Sequence, residues 1–278
     1  MPIPPHLPFR RRLRPWWAAP ARDPHRSLEA VRVGTALLLA VHPLYAFLHP
    51  AEVARLGQVI ASRGLIWPQG LAWGIYGLQL GGSLALLAGR WLRAATAGNL
   101  LVLASGIGMT GFTHWYTVGG AAEDGIPGIE FYVMLAIALV GVLWGRRRAA
   151  SQGLDTVRVG SALVLLMHPL HGIFDPAGLR GFGQGLEHLG FPQGLLLVWT
   201  LMAVQIACSS ALLARRLVVP AALGHIFVLS MGIWISHAPR WFVVGPGEEG
   251  MEYSLLLILC FASVAWAHRP PRPAELSA

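Results

Sequence analysis

Residues 31–44 read VRVGTALLLAVHPL, and residues 157–170 read VRVGSALVLLMHPL. The two stretches start 126 positions apart and agree at 10 of 14 positions. Self-similarity at a fixed period sets the architecture before any finer reading. The chain reads as two copies of one unit of about 120 residues, each largely apolar helix. A polar residue present in both copies therefore counts as a repeated observation.

Of the 278 residues, 55% are hydrophobic and only 12% charged. That charged share is half the usual soluble figure of roughly 25%. Apolar runs near the length that crosses a bilayer core recur along the chain, so the sequence reads as an integral membrane protein. The net charge of +8 comes from arginine alone, because no lysine occurs. The arginines sit at the ends of apolar runs rather than on one face interleaved with aromatics, which argues against nucleic acid as a partner. They report topology and contact with anionic lipid. Cys208 and Cys260 lie inside apolar segments without a CxxC pair, so a dithiol oxidoreductase is not expected. No Walker loop, GxSxG or HExxH occurs.

Eight spans are expected near 30–48, 69–89, 94–113, 128–145, 156–174, 193–213, 217–236 and 250–267. Arginines cluster in the tail (Arg10, Arg11, Arg12, Arg14, Arg22, Arg26), at Arg90 and Arg93, and in the linker Arg146–Arg148. Further clusters are Arg215 with Arg216 and Arg269 with Arg272, whereas alternate loops hold most of the acids. By the positive-inside rule both termini face the cytoplasm. Residues 1–27, with RRRLRPWW from Arg10, read as a cytoplasmic tail rather than a signal peptide. Residues 28–149 and 150–268 read as the two units, and 269–278 as a second cytoplasmic tail. An even number of spans per copy makes the repeats parallel. The loops HPAEVARLGQVIASRGLIWPQG from His49 and DPAGLRGFGQGLEHLGFPQG from Asp175 mix apolar and polar residues at helical spacing. Each predicts a short amphipathic surface helix.

Aligning the copies pairs His42 with His168, Gln79 with Gln205, Asn99 with His225 and Glu130 with Glu252. It also pairs Arg32 with Arg158 and, less exactly in register, His114 with His237. Polar groups at such depth normally face a bundle interior with partners. Each arginine opens its span, and the histidine ten residues later lies about 15 Å further in. His42, His114 and Glu130 in one copy, and His168, His237 and Glu252 in the other, are expected to group within their own four-helix bundle, with the glutamine nearby. Arg32 and Arg158 are expected to snorkel to headgroups.

The first reading of these groups is structural, as polar glue between helices. A quinone or quinol site follows, with histidine holding a ring oxygen and the carboxylate exchanging its proton. Haem b ligation by His42 and His168 ranks behind it. A metal site is not expected, because His168 and His171 are three apart but Tyr45 stands at the second position in the other copy. Pro43 and Pro169 follow the histidines inside the spans, which predicts a freed backbone carbonyl in each.

Each copy resembles the DoxX family of four-span bacterial membrane proteins. The likeness rests on Arg32 with Gly34 and Arg158 with Gly160, on His42 and His168 late in the first span, and on GLQLGGSLALLAGR from Gly77. It continues with His114 and His237, then GIEFYVML from Gly128 and GMEYSLLL from Gly250. The linker SQGLDTVR from Ser151 is similar to the tail many members carry. Proline instead of glycine follows the histidines here, and Gln79 and Gln205 stand where a glutamate is common. The resemblance implies a redox-associated membrane subunit linked to quinone metabolism.

The sequence thus predicts an all-α membrane protein of eight transmembrane helices, arranged as two parallel-repeat four-helix bundles in a bacterial inner membrane. His42, Gln79, His114, Glu130, His168, Gln205, His237 and Glu252 are its candidate ligand-binding residues, with quinone as the first cofactor. A membrane or periplasmic redox protein is a candidate partner beside the lipid bilayer. The alternatives are a non-enzymatic accessory or scaffold subunit, and a small-molecule transporter.

Overall fold

The structure is a computed structural model that describes residues 21–110, 115, 128–237, 240–243 and 250–270. Among them are ten α-helices: α1 Pro24–Leu48, α2 Pro50–Ser62, α3 Pro68–Leu87, α4 Leu92–Thr110, α5 Glu130–Arg147, α6 Ala150–Phe174, α7 Pro176–His188, α8 Gly194–Leu213, α9 Val218–Gly232 and α10 Glu252–Ala267. A π-helical segment, Ile233–His237, extends α9. The same succession of lengths occurs twice: 25, 13 and 20 residues for α1 to α3, and again for α6 to α8.

Prolines and aspartates punctuate the helices. Asp23 caps α1 by accepting from the Arg26 N–H, with Pro24 at the first helical position. Asp175 caps α7 from the Gly178 N–H at 2.9 Å. Both caps satisfy amides that a helix start leaves open. The two amphipathic helices form where they are expected. Val53, Gly57 and Ile60 of α2 are buried, as are Leu179, Gly183 and Leu186 of α7, in each case at spacings i, i+4 and i+7.

Six helices are long and apolar enough to cross a membrane: α1, α3, α4, α6, α8 and α9 with its π extension. The other two expected spans differ for simple reasons. α5 carries Glu130, Arg146 and Arg147 within its 18 residues. α10 is apolar but only 16 residues long, about 24 Å against a hydrocarbon core of about 30 Å.

Packing also departs from two separately cored bundles. One hydrophobic core joins α1, α5, α6 and α10, through Val31, Leu39, Met134, Ala138, Val157 and Phe261. α3 and α4 lie outside α1 and α5, and α8 and α9 outside α6 and α10. The centre closes because α5 and α6 approach backbone to backbone. A Cβ added to Gly153 would meet the Gly141 carbonyl and come within 2.7 Å of the Gly145 backbone. Small residues allow such contact between helices that lipid cannot drive together by hydrophobicity.

Candidate functional site

The N-terminal ends of α5 and α10 meet the C-terminal thirds of α6 and α1, and there two histidine–glutamate pairs form. Nε2 of His42 lies 2.8 Å from Oε2 of Glu252. Nε2 of His168 lies 2.8 Å from Oε2 of Glu130. Both glutamates are fully buried, whereas the histidine side chains are 20% and 26% exposed. Each pair therefore has one sealed end and one end open to the surroundings.

These pairings correct the expected grouping. Each glutamate bonds the histidine of the other half, because α5 packs on α6 and α1 packs on α10. The backbone holds each glutamate in the same way. The Glu130 N–H donates to the Trp115 carbonyl at 3.1 Å, and the Glu252 N–H to the Trp241 carbonyl at 3.2 Å. The second oxygen of Glu252 accepts the Val243 N–H at 2.7 Å.

The surroundings of the two pairs are not the same. The Tyr253 hydroxyl donates to Oε2 of Glu130 at 3.4 Å. At the matching place Phe131 lies 6.5 Å from the His42 ring, and Phe242 lies 5.2 Å from it. One pair thus has a phenol beside it, while the other is walled by phenyl rings. Sequence reasoning missed Tyr253, although EF after the first repeated glutamate against EY after the second carries the signal.

Not every candidate converges. Gln79 is buried in α3 and Gln205 half-buried in α8, and neither side chain bonds a site histidine or glutamate among the described residues. His114 lies outside the described residues, as does the side chain of His237. His225 is buried 3.1 Å from the Ser209 hydroxyl and stacks on Phe261 at 4.8 Å, a polar contact inside the second half. Among the described residues no group of three or more His, Cys, Asp or Glu is placed to hold a metal ion.

Arg32 and Arg158 also differ from expectation. Rather than reaching outward they are nearly sealed, with side chains 10% and 6% exposed. Arg32 donates to the carbonyls of Leu86 and Leu87, and Arg158 to that of Leu212. Glu29 pairs with Arg32 at 2.7 Å and Asp155 with Arg158 at 3.1 Å. Each guanidinium thereby neutralises the carbonyl-rich end of α3 or α8. His42 and His168 stand toward the opposite end of α1 and α6, the helices that carry these arginines.

The DoxX family model matches residues 153–238. That stretch of the second half is similar to the DoxX family. The match runs from α6 to the π-helical segment, so it takes in His168 and Gln205 and stops short of Glu252. The matched stretch therefore holds the histidine of one pair, while that pair's carboxylate, Glu130, comes from outside it. No curated protein and no solved structure matches the chain.

Proposed function

We propose that this chain is a redox-associated membrane protein, a tandem duplication of the DoxX-like unit, that binds a quinone- or quinol-type ligand at the His168–Glu130–Tyr253 cluster. The observation that carries the reading is a buried carboxylate joined to a half-open imidazole, with a phenol beside it. The imidazole is a donor suited to a ring oxygen, the carboxylate is a proton acceptor, and the phenol donates to that carboxylate. The indole N–H groups of Trp115 and Trp241 add two buried donors that have no partner among the described residues. They stand on the segments that hold the glutamates.

A quinone supplies two-electron, two-proton redox chemistry when bound. The protein's share is to hold and move the proton. His168, at the open end, orients the ligand. Glu130, shielded from water, holds the proton and shares it with His168 over 2.8 Å. Tyr253 keeps the carboxylate oxygen aimed at the pair. Haem at His42 and His168 fits less well, because both Nε2 atoms already face glutamates. The Arg-rich helix ends support eight spans in a bacterial inner membrane with both termini cytoplasmic.

The experiment is purification of the full chain, followed by an absorption spectrum and analysis of extracted lipids. We expect a stoichiometric quinone that is lost in His168→Ala and depleted in Tyr253→Phe, with no Soret band. A folded wild-type protein that carries no quinone and binds none when it is added overturns the reading. The His42–Glu252 pair favours a second role, as polar glue between the halves, since phenyl rings flank its histidine. His42→Ala is then expected to lower the melting temperature and leave quinone content unchanged.

A further inference from the structure

We propose that a basic groove between α4 and α5 binds the phosphodiester headgroup of an anionic phospholipid. The groove has a volume of about 610 Å³ and is lined by Trp91, Leu92, Arg93, Leu143, Arg146 and Arg147, among others. Three guanidinium groups converge there on an apolar floor. Glu29 pairs with Arg146, whereas neither Arg93 nor Arg147 has an ion-pair partner among the described residues. Two charges therefore stand unbalanced at one place, and each guanidinium can bond a phosphate through two donors.

The position selects a lipid as the occupant. α4 is one of the apolar helices and begins at Leu92, and α5 ends at Arg147. The groove therefore sits where spans meet the headgroup layer. Trp91, 80% exposed, stands at its edge, the depth at which indole rings settle in a bilayer. Basic pockets between spans are suited to anionic headgroups, and acyl chains can run down the apolar face of α4.

Among the described residues the second half differs in sequence at the matching positions. At the 126-residue offset, Leu217 replaces Trp91 and Val219 replaces Arg93. Arg215 in that region faces Asp155 at 3.6 Å. Two of the groove's lining residues, Trp91 and Arg93, are thus not repeated in the second half, which supplies an internal control.

The test is native mass spectrometry of the full chain in micelles, titrated with phosphatidylglycerol, phosphatidylcholine or inorganic phosphate. We expect phosphatidylglycerol to bind and phosphatidylcholine not to. Arg93→Gln with Arg147→Gln should weaken binding about thirtyfold, while Arg216→Gln leaves it unchanged. Ala94→Trp, which fills the groove without removing charge, should weaken it as well and covers the case in which the double variant does not fold. Equal binding of the two lipids, equal loss in Arg216→Gln, or displacement of the lipid by millimolar phosphate each overturns the proposal.

Discussion

The exchange of glutamates between halves predicts a specific pattern of energetic coupling. Glu252 is fully buried, with one donor per oxygen: His42 Nε2 at 2.8 Å and the Val243 N–H at 2.7 Å. His42→Ala removes one donor and leaves a half-satisfied carboxylate, which costs about 3 to 5 kcal/mol where a buried pair is broken. Glu252→Gln keeps the volume and the bond from Val243, so its cost is about 1 to 2 kcal/mol. In that background His42→Ala loses mainly its contact with Phe242 and Phe131, about 1 kcal/mol. The coupling energy is therefore about 2 kcal/mol or more. A neutral hydrogen bond between membrane helices averages about 0.6 and reaches at most about 1.7 kcal/mol, so the size of the coupling also reports whether the pair is ionic. The assay is equilibrium unfolding in mixed micelles, followed by tryptophan fluorescence, for the His42/Glu252 cycle and for a His42/Glu130 cycle. Coupling in the second cycle with none in the first would refute the cross-half pairing.

Three further outcomes follow from the packing. Arg158→Ala strips the Leu212 carbonyl and Asp155 of their partner and should cost about 2 to 3 kcal/mol in the same assay; Arg158→Lys should recover little, since one ammonium does not reproduce the guanidinium fork. Gly153→Ala places a methyl group against the α5 backbone and should destabilise by about 1 to 3 kcal/mol. Gly181→Ala in α7, where a Cβ meets nothing within 4 Å, should be neutral or stabilising by about 0.5 to 1 kcal/mol; equal effects at the two glycines would contradict the close α5–α6 approach. His268 follows α10, and its imidazole titrates below the usual 6.5. Burial is the main cause, reinforced by Arg215 and Arg158 and opposed by the Val264 carbonyl and Asp155. The unfolded chain then binds the proton first, so this contribution to stability is present above pH 6.5 and lost as pH falls through the lowered folded value; in His268→Phe that acid loss should be smaller in melting curves taken between pH 7 and 5.

Most helix positions were legible because apolar length, proline and capping aspartate act locally. Pro50, Pro68 and Pro176 open α2, α3 and α7 where loops end, and the i, i+4, i+7 spacing of Val53, Gly57 and Ile60 shows the buried side of α2. The inward turn of Arg32 and Arg158 was not legible. An arginine at a span end is equally suited to a headgroup and to a carbonyl, and only the neighbouring end of α3 or α8 decides between them. The partner of each glutamate was harder still, since the repeat offers every histidine two equivalent carboxylates. Membership of one repeat favours the one in the same half, and it misleads.

A signal for the true pairing was nonetheless present. Only Arg148 and Ala149 separate α5 from α6, and so short a connection makes the two helices antiparallel neighbours. Glu130 lies 17 residues before the end of α5, and His168 lies 18 residues after the start of α6. At 1.5 Å per residue both stand about 26 to 27 Å from the turn, level with each other. The glycines at 141, 145 and 153 then bring the helices close enough for the side chains to meet. The His168–Glu130 pair is thus a hairpin contact that the linker length dictates. The His42–Glu252 pair has no such help, since 210 residues separate its members, and it forms only when α10 packs on α1. One pair can therefore assemble locally, while the other reports that both halves have closed around a common centre. That difference agrees with the chemistry beside them: the local pair has the Tyr253 phenol, and the closing pair has phenyl rings.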